Sequence, residues 1–279
     1  MLLIGLFALV MTPLAASAQT PPDEIFVSPA DAARGVLAGG LLVDARSDVE
    51  YAAGHAPGAV HAPWADFSDP DTPGRLHPSD HVLGGQLGAL GASRDRPTYV
   101  LGAWADGWGE EGRIFWMFEY LGYTDVHIVT GGWTAWVDAG LPVSIALPEP
   151  VYGVGSIQRR QDLEATLRDV QALPATATLL DTRDLREFEG ATPYGSTRGG
   201  HIPGARHVVW TDFLDGSDLV DRDRARELLG PIDAPVVAYC TGGVRSGFVY
   251  AVARWAGYED VANYAGSWWE YSAAVAPTE

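Results

Sequence analysis

Short apolar runs recur along the chain, and stretches with helical spacing separate them. Leu41-Leu42-Val43 and Leu179-Leu180 each end at an aspartate, as buried strands do on reaching a polar edge. Thr98 to Leu101 and Val236 to Tyr239 each follow a proline and predict second strands. Asp125 to Val129 and Asp260 to Tyr264 predict third strands, and Arg113 to Tyr120 and Ser246 to Trp255 predict helices. Strand, helix, strand in sequence order predicts an α/β fold, a small parallel sheet flanked by helices.

The pattern occurs twice. Leu42-Val43-Asp44-Ala45-Arg46 with Glu50-Tyr51 returns as Leu180-Asp181-Thr182-Arg183 with Glu187-Phe188. His55-Ala56-Pro57-Gly58-Ala59 returns as His201-Ile202-Pro203-Gly204-Ala205, and Trp64-Ala65-Asp66-Phe67 as Trp210-Thr211-Asp212-Phe213. Gly122-Tyr123 and Gly131-Gly132-Trp133 return as Gly257-Tyr258 and Gly266-Ser267-Trp268. Blocks repeated in one order predict a tandem duplication. One domain is expected over residues 19–145 and a second over 156–279, joined by a linker at 146–155. Pro142, Pro148 and Pro150 discourage helix around that junction. About nine extra residues between Phe188 and His201 predict a surface loop in the second copy.

Composition narrows the chemistry. The chain has 279 residues, 36 acidic against 18 basic, for a net charge of -18. That balance offers no basic footprint for nucleic acid and would be repelled by an anionic membrane. Every basic residue is arginine, so a Schiff-base lysine and a phosphate-loop lysine are excluded. The apolar run Leu2 to Val10 followed by Ala16-Ser17-Ala18 predicts a signal peptide over residues 1–18 and an exported protein, periplasmic or secreted, with no membrane attachment after cleavage. Cys240 is the only cysteine, which excludes an internal disulfide and marks a candidate reactive thiol.

Cys240 stands where a predicted strand meets a glycine-rich turn, Thr241-Gly242-Gly243-Val244-Arg245, with a helix starting near Ser246. Such a turn gathers backbone N–H groups and the positive end of a helix dipole, and Arg245 adds a cation. All three favour a thiolate. The first copy has Gly102 at the matching position, in a loop about three residues longer that carries Asp106, Glu110 and Glu111. Those acidic side chains are expected to repel an anion.

Together, the duplication and the motifs Asp-x-Arg-x-x-x-Glu-[Tyr/Phe], Gly-His-x-Pro-Gly-Ala and Cys-x-x-Gly-x-Arg-Ser resemble the rhodanese superfamily, and among its members two-domain thiosulfate sulfurtransferases. The resemblance implies a catalytic second domain and a non-catalytic first one. It implies that Cys240 takes sulfane sulfur from a small-molecule donor such as thiosulfate as a persulfide and passes it to cyanide or a thiol. The loop from Thr241 through Gly242, Gly243 and Val244 to Arg245 would hold the terminal sulfur, with Arg245 attracting the donor. No metal or organic cofactor is implied. Vertebrate members place a donor-binding arginine where Glu187 stands here, a loss that Arg183, Arg186 or Arg198 could offset. Arg183 is accordingly a substrate-binding candidate. Its spacing from Asp181, repeated as Asp44 and Arg46, also reads as a structural ion pair. Three alternatives stay open: a mercaptopyruvate donor, a sulfur-relay module without turnover, and a cysteine phosphatase. The phosphatase loop has five residues between Cys and Arg where this chain has four. His55, His201, His61 and His207 recur between copies and read as turn-stabilising. Trp269, Tyr271, Trp104 and Trp108 are expected near the mouth of the site.

Overall fold

The two apolar faces of each short strand decide how this chain folds. In Leu41–Asp44, Leu41 and Val43 enter one apolar cluster and Leu42 enters another on the opposite face. In Val236–Tyr239, Val236 and Ala238 face one way and Val237 and Tyr239 the other. Strands buried on both sides need helices on both sides.

A computed structural model describes residues 19–278; the expected signal peptide, residues 1–18, lies outside the described residues. The first copy runs β1 Phe26–Val27, α1 Pro29–Leu37, β2 Leu41–Asp44, α2 Asp48–Ala53, β3 Val60–His61, α3 Asp80–Ala89, β4 Thr98–Leu101, α4 Glu110–Tyr120, β5 Val126–Val129 and α5 Gly132–Asp138. The second runs α6 Leu167–Gln171, β6 Thr178–Asp181, α7 Leu185–Phe188, β7 Arg206–His207, a small hairpin of β8 Leu214–Asp215 and β9 Asp218–Leu219, α8 Arg222–Leu229, β10 Val236–Tyr239, α9 Arg245–Trp255, β11 Val261–Asn263 and α10 Ser267–Ala273. Each copy builds its own parallel sheet, in the order β1-β5-β4-β2-β3 and β11-β10-β6-β7. The expected strands are all present. The two-residue strands β1, β3 and β7 are additions at the sheet edges, too short to carry a period.

The copies meet through α4 and α9, which cross backbone to backbone at glycines. A Cβ on Gly112 would lie 2.2 Å from Phe248 Cα, and one on Gly247 would lie 2.8 Å from Arg113 Cα. One apolar cluster therefore runs through both copies, with Ile114, Phe115 and Phe118 beside Phe248, Val249 and Val252. A buried ion pair crosses the same seam: Glu119 accepts from Arg254 Nη1 at 2.8 Å and from the Tyr250 hydroxyl at 2.7 Å. Residues 146–155 pass along α3, where Gly153 and Gly155 press against the backbone at Ala92 and Gly84.

At the end of β4, the first copy shows what became of its own strand-to-helix turn. A side chain on Gly102 has no room: its Cβ would sit 1.9 Å from Glu111 Oε2. Glu111 is fully buried and neither carboxyl oxygen has a hydrogen-bond partner. Burial, reinforced by the neighbouring Glu110 charge, pushes its carboxyl up to about 8. At neutral pH it is mostly protonated, so this loop is plugged by a neutral acid; the expected repulsion of anions does not operate through Glu111. The folded state keeps a proton that the unfolded chain releases above the usual carboxylate range. Stability should therefore fall as pH rises toward about 8. Glu111→Gln is expected to flatten that fall, read as a smaller loss of denaturation midpoint between about pH 5 and about pH 8. An unchanged slope would show that Glu111 ionises normally.

Candidate active site

Cys240 follows the last residue of β10, and α9 begins five residues later. So abrupt a reversal requires Gly243, whose φ of +79° lies in the left-handed region; a Cβ there would also sit 2.5 Å from the Ala265 carbonyl. The sulfur of Cys240 accepts the Gly243 N–H at 3.1 Å. The loop's carbonyls are held outward: Trp268 N donates to Cys240 O at 3.0 Å, Trp269 N to Thr241 O at 2.9 Å, and Asn263 Nδ2 to Gly243 O at 3.1 Å. Across a trans peptide the N–H points opposite the carbonyl, so the Gly242 and Val244 N–H groups turn toward the sulfur side. The Cys240 N–H itself donates to Ser267 Oγ at 3.1 Å. Ser267 holds a φ of +51°, a conformation that its counterpart Gly132 (φ +57°) adopts without penalty. The second copy keeps the strained serine where its hydroxyl receives the cysteine's N–H.

Arg245 opens α9 and is buried, with 3% of its surface exposed. Its guanidinium grips Glu187 in two places, Nη1 to Oε2 at 2.7 Å and Nη2 to Oε1 at 3.0 Å. Nη2 also donates to Thr241 Oγ1 at 2.6 Å, and that hydroxyl donates to Glu187. Burial alone would push the Cys240 thiol up. The Arg245 charge and hydrogen bonds from Ser246 and Gly242 together outweigh it, and the thiol lies below its ordinary value. Glu187 is likewise penalised by burial, yet the Arg245 and Thr241 contacts hold it below the usual carboxylate range. The site's cation therefore serves both the Cys240 sulfur and the Glu187 carboxylate.

A pocket of about 320 Å³ opens over the sulfur. Thr241, Gly242, Val244 and Arg245 line it with Cys240, while Gly243 stays behind the turn. Its walls are aromatic: Trp64 and Trp108 from the first copy, Trp269 from α10, and Tyr194 from the extra loop. Trp108 and Tyr194 meet edge to face, with centroids 5.5 Å apart, and the Arg245 guanidinium lies 5.6 Å from the Trp108 ring and 5.8 Å from the Tyr194 ring. Trp269 Nε1 donates to Tyr194 O at 2.9 Å, tying the loop to α10. The predicted surface loop is thus one wall of the site.

Several expected residues lie elsewhere. Arg183, the substrate-binding candidate, does not line the pocket: it is fully buried, pairs with Asp181 at 2.5 Å, donates to Gly200 O at 2.9 Å and stacks on Trp268. Arg46 repeats this with Asp44 at 2.6 Å and with Gly54 O. Arg198 is spent on the Tyr271 and Ala274 carbonyls. Tyr271 is buried against Trp268, and Trp104 packs on Phe248 at the seam rather than over the mouth. His55 bonds the Tyr51 carbonyl, His201 the Phe188 carbonyl, and His61 and His207 the carbonyls of Arg46 and Arg183, all as turn braces. The sequence reading missed Ser267, Trp64 and Tyr194, and took Glu187 for the loss of a donor-binding arginine rather than for the partner of Arg245. Glu187 also closes a capping box with Asp184.

The Rhodanese-like domain family matches residues 28–139 and 160–274. The thiosulfate sulfurtransferases of Azotobacter vinelandii and Pseudomonas aeruginosa are each 34% identical to this chain, over 83% of it and 87% of their own length. The sulfur carrier protein TtuD of Thermus thermophilus is 30% identical, over 81% of this chain and 85% of its own. Among solved structures, YnjE superposes with a TM-score of 0.78 at 24% identity, covering 91% of this chain and 67% of that one. Wild-type EanB superposes at 0.81 with 18% identity, covering 91% and 68%. A thiol set in an N–H cradle at the end of a parallel strand, a duplicated domain and these relatives lead to one assignment: the chain belongs to the rhodanese family and is a sulfurtransferase of the rhodanese type.

Proposed function

We propose that Cys240 carries sulfane sulfur from thiosulfate to a thiophilic acceptor, cyanide or a thiol, as a persulfide. The Cys240 thiolate attacks the outer sulfur of thiosulfate; the S–S bond breaks and its electron pair leaves with sulfite. The acceptor then attacks the terminal sulfur of the persulfide, and the Cys240 thiolate leaves, ready for another round. The observation that carries this reading is the lone thiol, held below its ordinary pKa and accepting a loop N–H at 3.1 Å. The same N–H groups can hold a terminal sulfur anion.

Mercaptopyruvate is the alternative donor. It and thiosulfate are both anions, and either meets the Glu187 carboxylate and an Arg245 already gripped in two places, while the thiosulfate sulfurtransferases at 34% identity favour thiosulfate. Aromatic walls favour an acceptor with an apolar or flat body in the second half-reaction. We also propose that the protein is exported, on the apolar run and small-residue site within residues 1–18. Intact mass of the native protein should match a chain beginning near Gln19; a retained Met1 would overturn export.

Thiosulfate alone should add about 32 Da to the wild-type protein, one sulfur on one thiol, and Cys240→Ser should add nothing and show only background transfer. Alkylation of the wild-type thiol should persist at a pH where an ordinary thiol has become unreactive, because a lowered pKa keeps the thiolate populated there. Sulfur transfer surviving in Cys240→Ser would end the mechanism.

Glu187→Gln frees the Arg245 charge while keeping the shape. Single-turnover persulfide formation is expected to speed up by roughly tenfold, the equivalent of one pKa unit. A slower variant would mean that the carboxylate assists the donor step.

A further inference from the structure

Arg113 lies in the first turns of α4, in the copy without a nucleophile. Its counterpart on α9, at the same distance from the helix start, is Phe248. Where the second copy presents a ring to the seam, the first buries a guanidinium with 1% of its surface exposed. Among the described residues no carboxylate oxygen forms an ion pair with it. Its partners are carbonyls: Nη2 donates to Gly74 O at 2.6 Å, and Nη1 reaches Gly243 O at 3.5 Å. Its plane lies on Trp116, 4.6 Å from the ring centroid. A buried cation without a carboxylate is costly to keep at a position where an apolar side chain serves the twin helix.

The segment it holds lies against the catalytic loop. Gly74 has a φ of +91°, and a Cβ there would sit 2.8 Å from Ala265 O and 3.1 Å from Gly242 Cα. Beside it, Arg75 Nη1 pairs with Glu270 Oε1 at 3.1 Å, on α10. The first copy thus backs the turn that carries Cys240, with Arg113 joining the backing segment to the turn.

We infer that Arg113 is a positioning residue for the Cys240 loop, supplied by the non-catalytic copy: together with Asn263 it holds the Gly243 carbonyl outward, and its unpaired charge stabilises the sulfur anion through the turn. Holding that carbonyl sets the 243–244 peptide and turns the Val244 N–H toward the sulfur. The charge is not spent on a carboxylate, as that of Arg245 is on Glu187. Burial lowers the Arg113 guanidinium to about 10, and the negative charges of Glu164 and Cys240 act against that fall. The charged groups around the sulfur come from several elements: Arg245 on α9, itself paired with Glu187 of α7 and near Asp184, and Arg113 on α4, on which the Glu164 charge acts more strongly than that of Cys240. This role rests on the proposed use of Cys240 as an anionic nucleophile.

The test reads the sulfur directly, because Cys240 is the only thiol. The pH profile of its alkylation by iodoacetamide is compared in wild type, Arg113→Met and Arg113→Lys. Arg113→Met is expected to shift the profile up by about one pH unit, and Arg113→Lys, which keeps the charge, to restore most of it. A folded Arg113→Met protein with the wild-type profile would overturn the inference. Should Arg113→Met not fold, nitrogen NMR of the wild-type protein decides: the Arg113 guanidinium resonances should move as Cys240 titrates, and resonances that stay still would overturn it. Alkylation requires no sulfur donor. A shifted profile without a thiosulfate-derived mass adduct would therefore overturn the proposed reaction and leave the role of Arg113 standing.

Discussion

Two glycines let α4 and α9 touch backbone to backbone, and the placement of the active site follows from that contact. With Gly112 and Gly247 at the crossing, the first copy comes close enough for Trp108 to reach the pocket and for Gly74 to press on Gly242. A methyl group at either glycine would have to displace main chain, which in a close-packed interior costs about 1–3 kcal/mol or more. The buried Glu119–Arg254 pair lies on the same helices and needs the same separation. An ion pair taken out of water contributes little net stability unless its geometry is good. The crossing brings Arg254 and the Tyr250 hydroxyl to one carboxyl oxygen, at 2.8 and 2.7 Å, but leaves the other without a partner, and burial holds the Glu119 carboxyl above the usual carboxylate range.

The duplication acts as an internal control, because the copies share a fold and differ at few places around the turn. Trp133 N donates to Gly102 O just as Trp268 N donates to Cys240 O. Asp44 and Arg46 repeat Asp181 and Arg183 nearly atom for atom. What both copies keep serves the fold. What only the second copy has is the cysteine, the Arg245–Glu187 pair and a serine held at positive φ; where it has a thiol, the first has a buried acid. Strain and buried charge persist where they orient groups around one sulfur atom.

Much of this was legible in the order of residues. The central strands, the repeat and the Cys240 turn are local features, and local features leave a period or a motif. Glu187 lies 58 positions from Arg245, so no local pattern could join them. Its own spacing from Asp184 reads as a helix cap, which it also is. Tyr194 stood in a loop whose Gly, Ser and Thr content suggested solvent, and the bond from Trp269 to its carbonyl and the contact of its ring with Trp108 show the loop folded inward. Trp64 and its twin Trp210 read alike. They part company because the seam between the copies covers Trp210, which packs on Phe248, and leaves Trp64 at the pocket.

The depth of the thiol behind its aromatic walls has a consequence for redox chemistry. Bridging two cysteines requires their Cα atoms to come within roughly 7 Å. Cys240 is 1% exposed beneath a pocket of about 320 Å³ whose walls come from both copies. The main chain of a second folded molecule cannot enter that space, so two copies of this protein cannot join through a disulfide between their only cysteines. A mixed disulfide can form only with a slender thiol, such as a small molecule or an extended peptide end. In oxidising surroundings the burial of the thiol keeps the protein from crosslinking to itself.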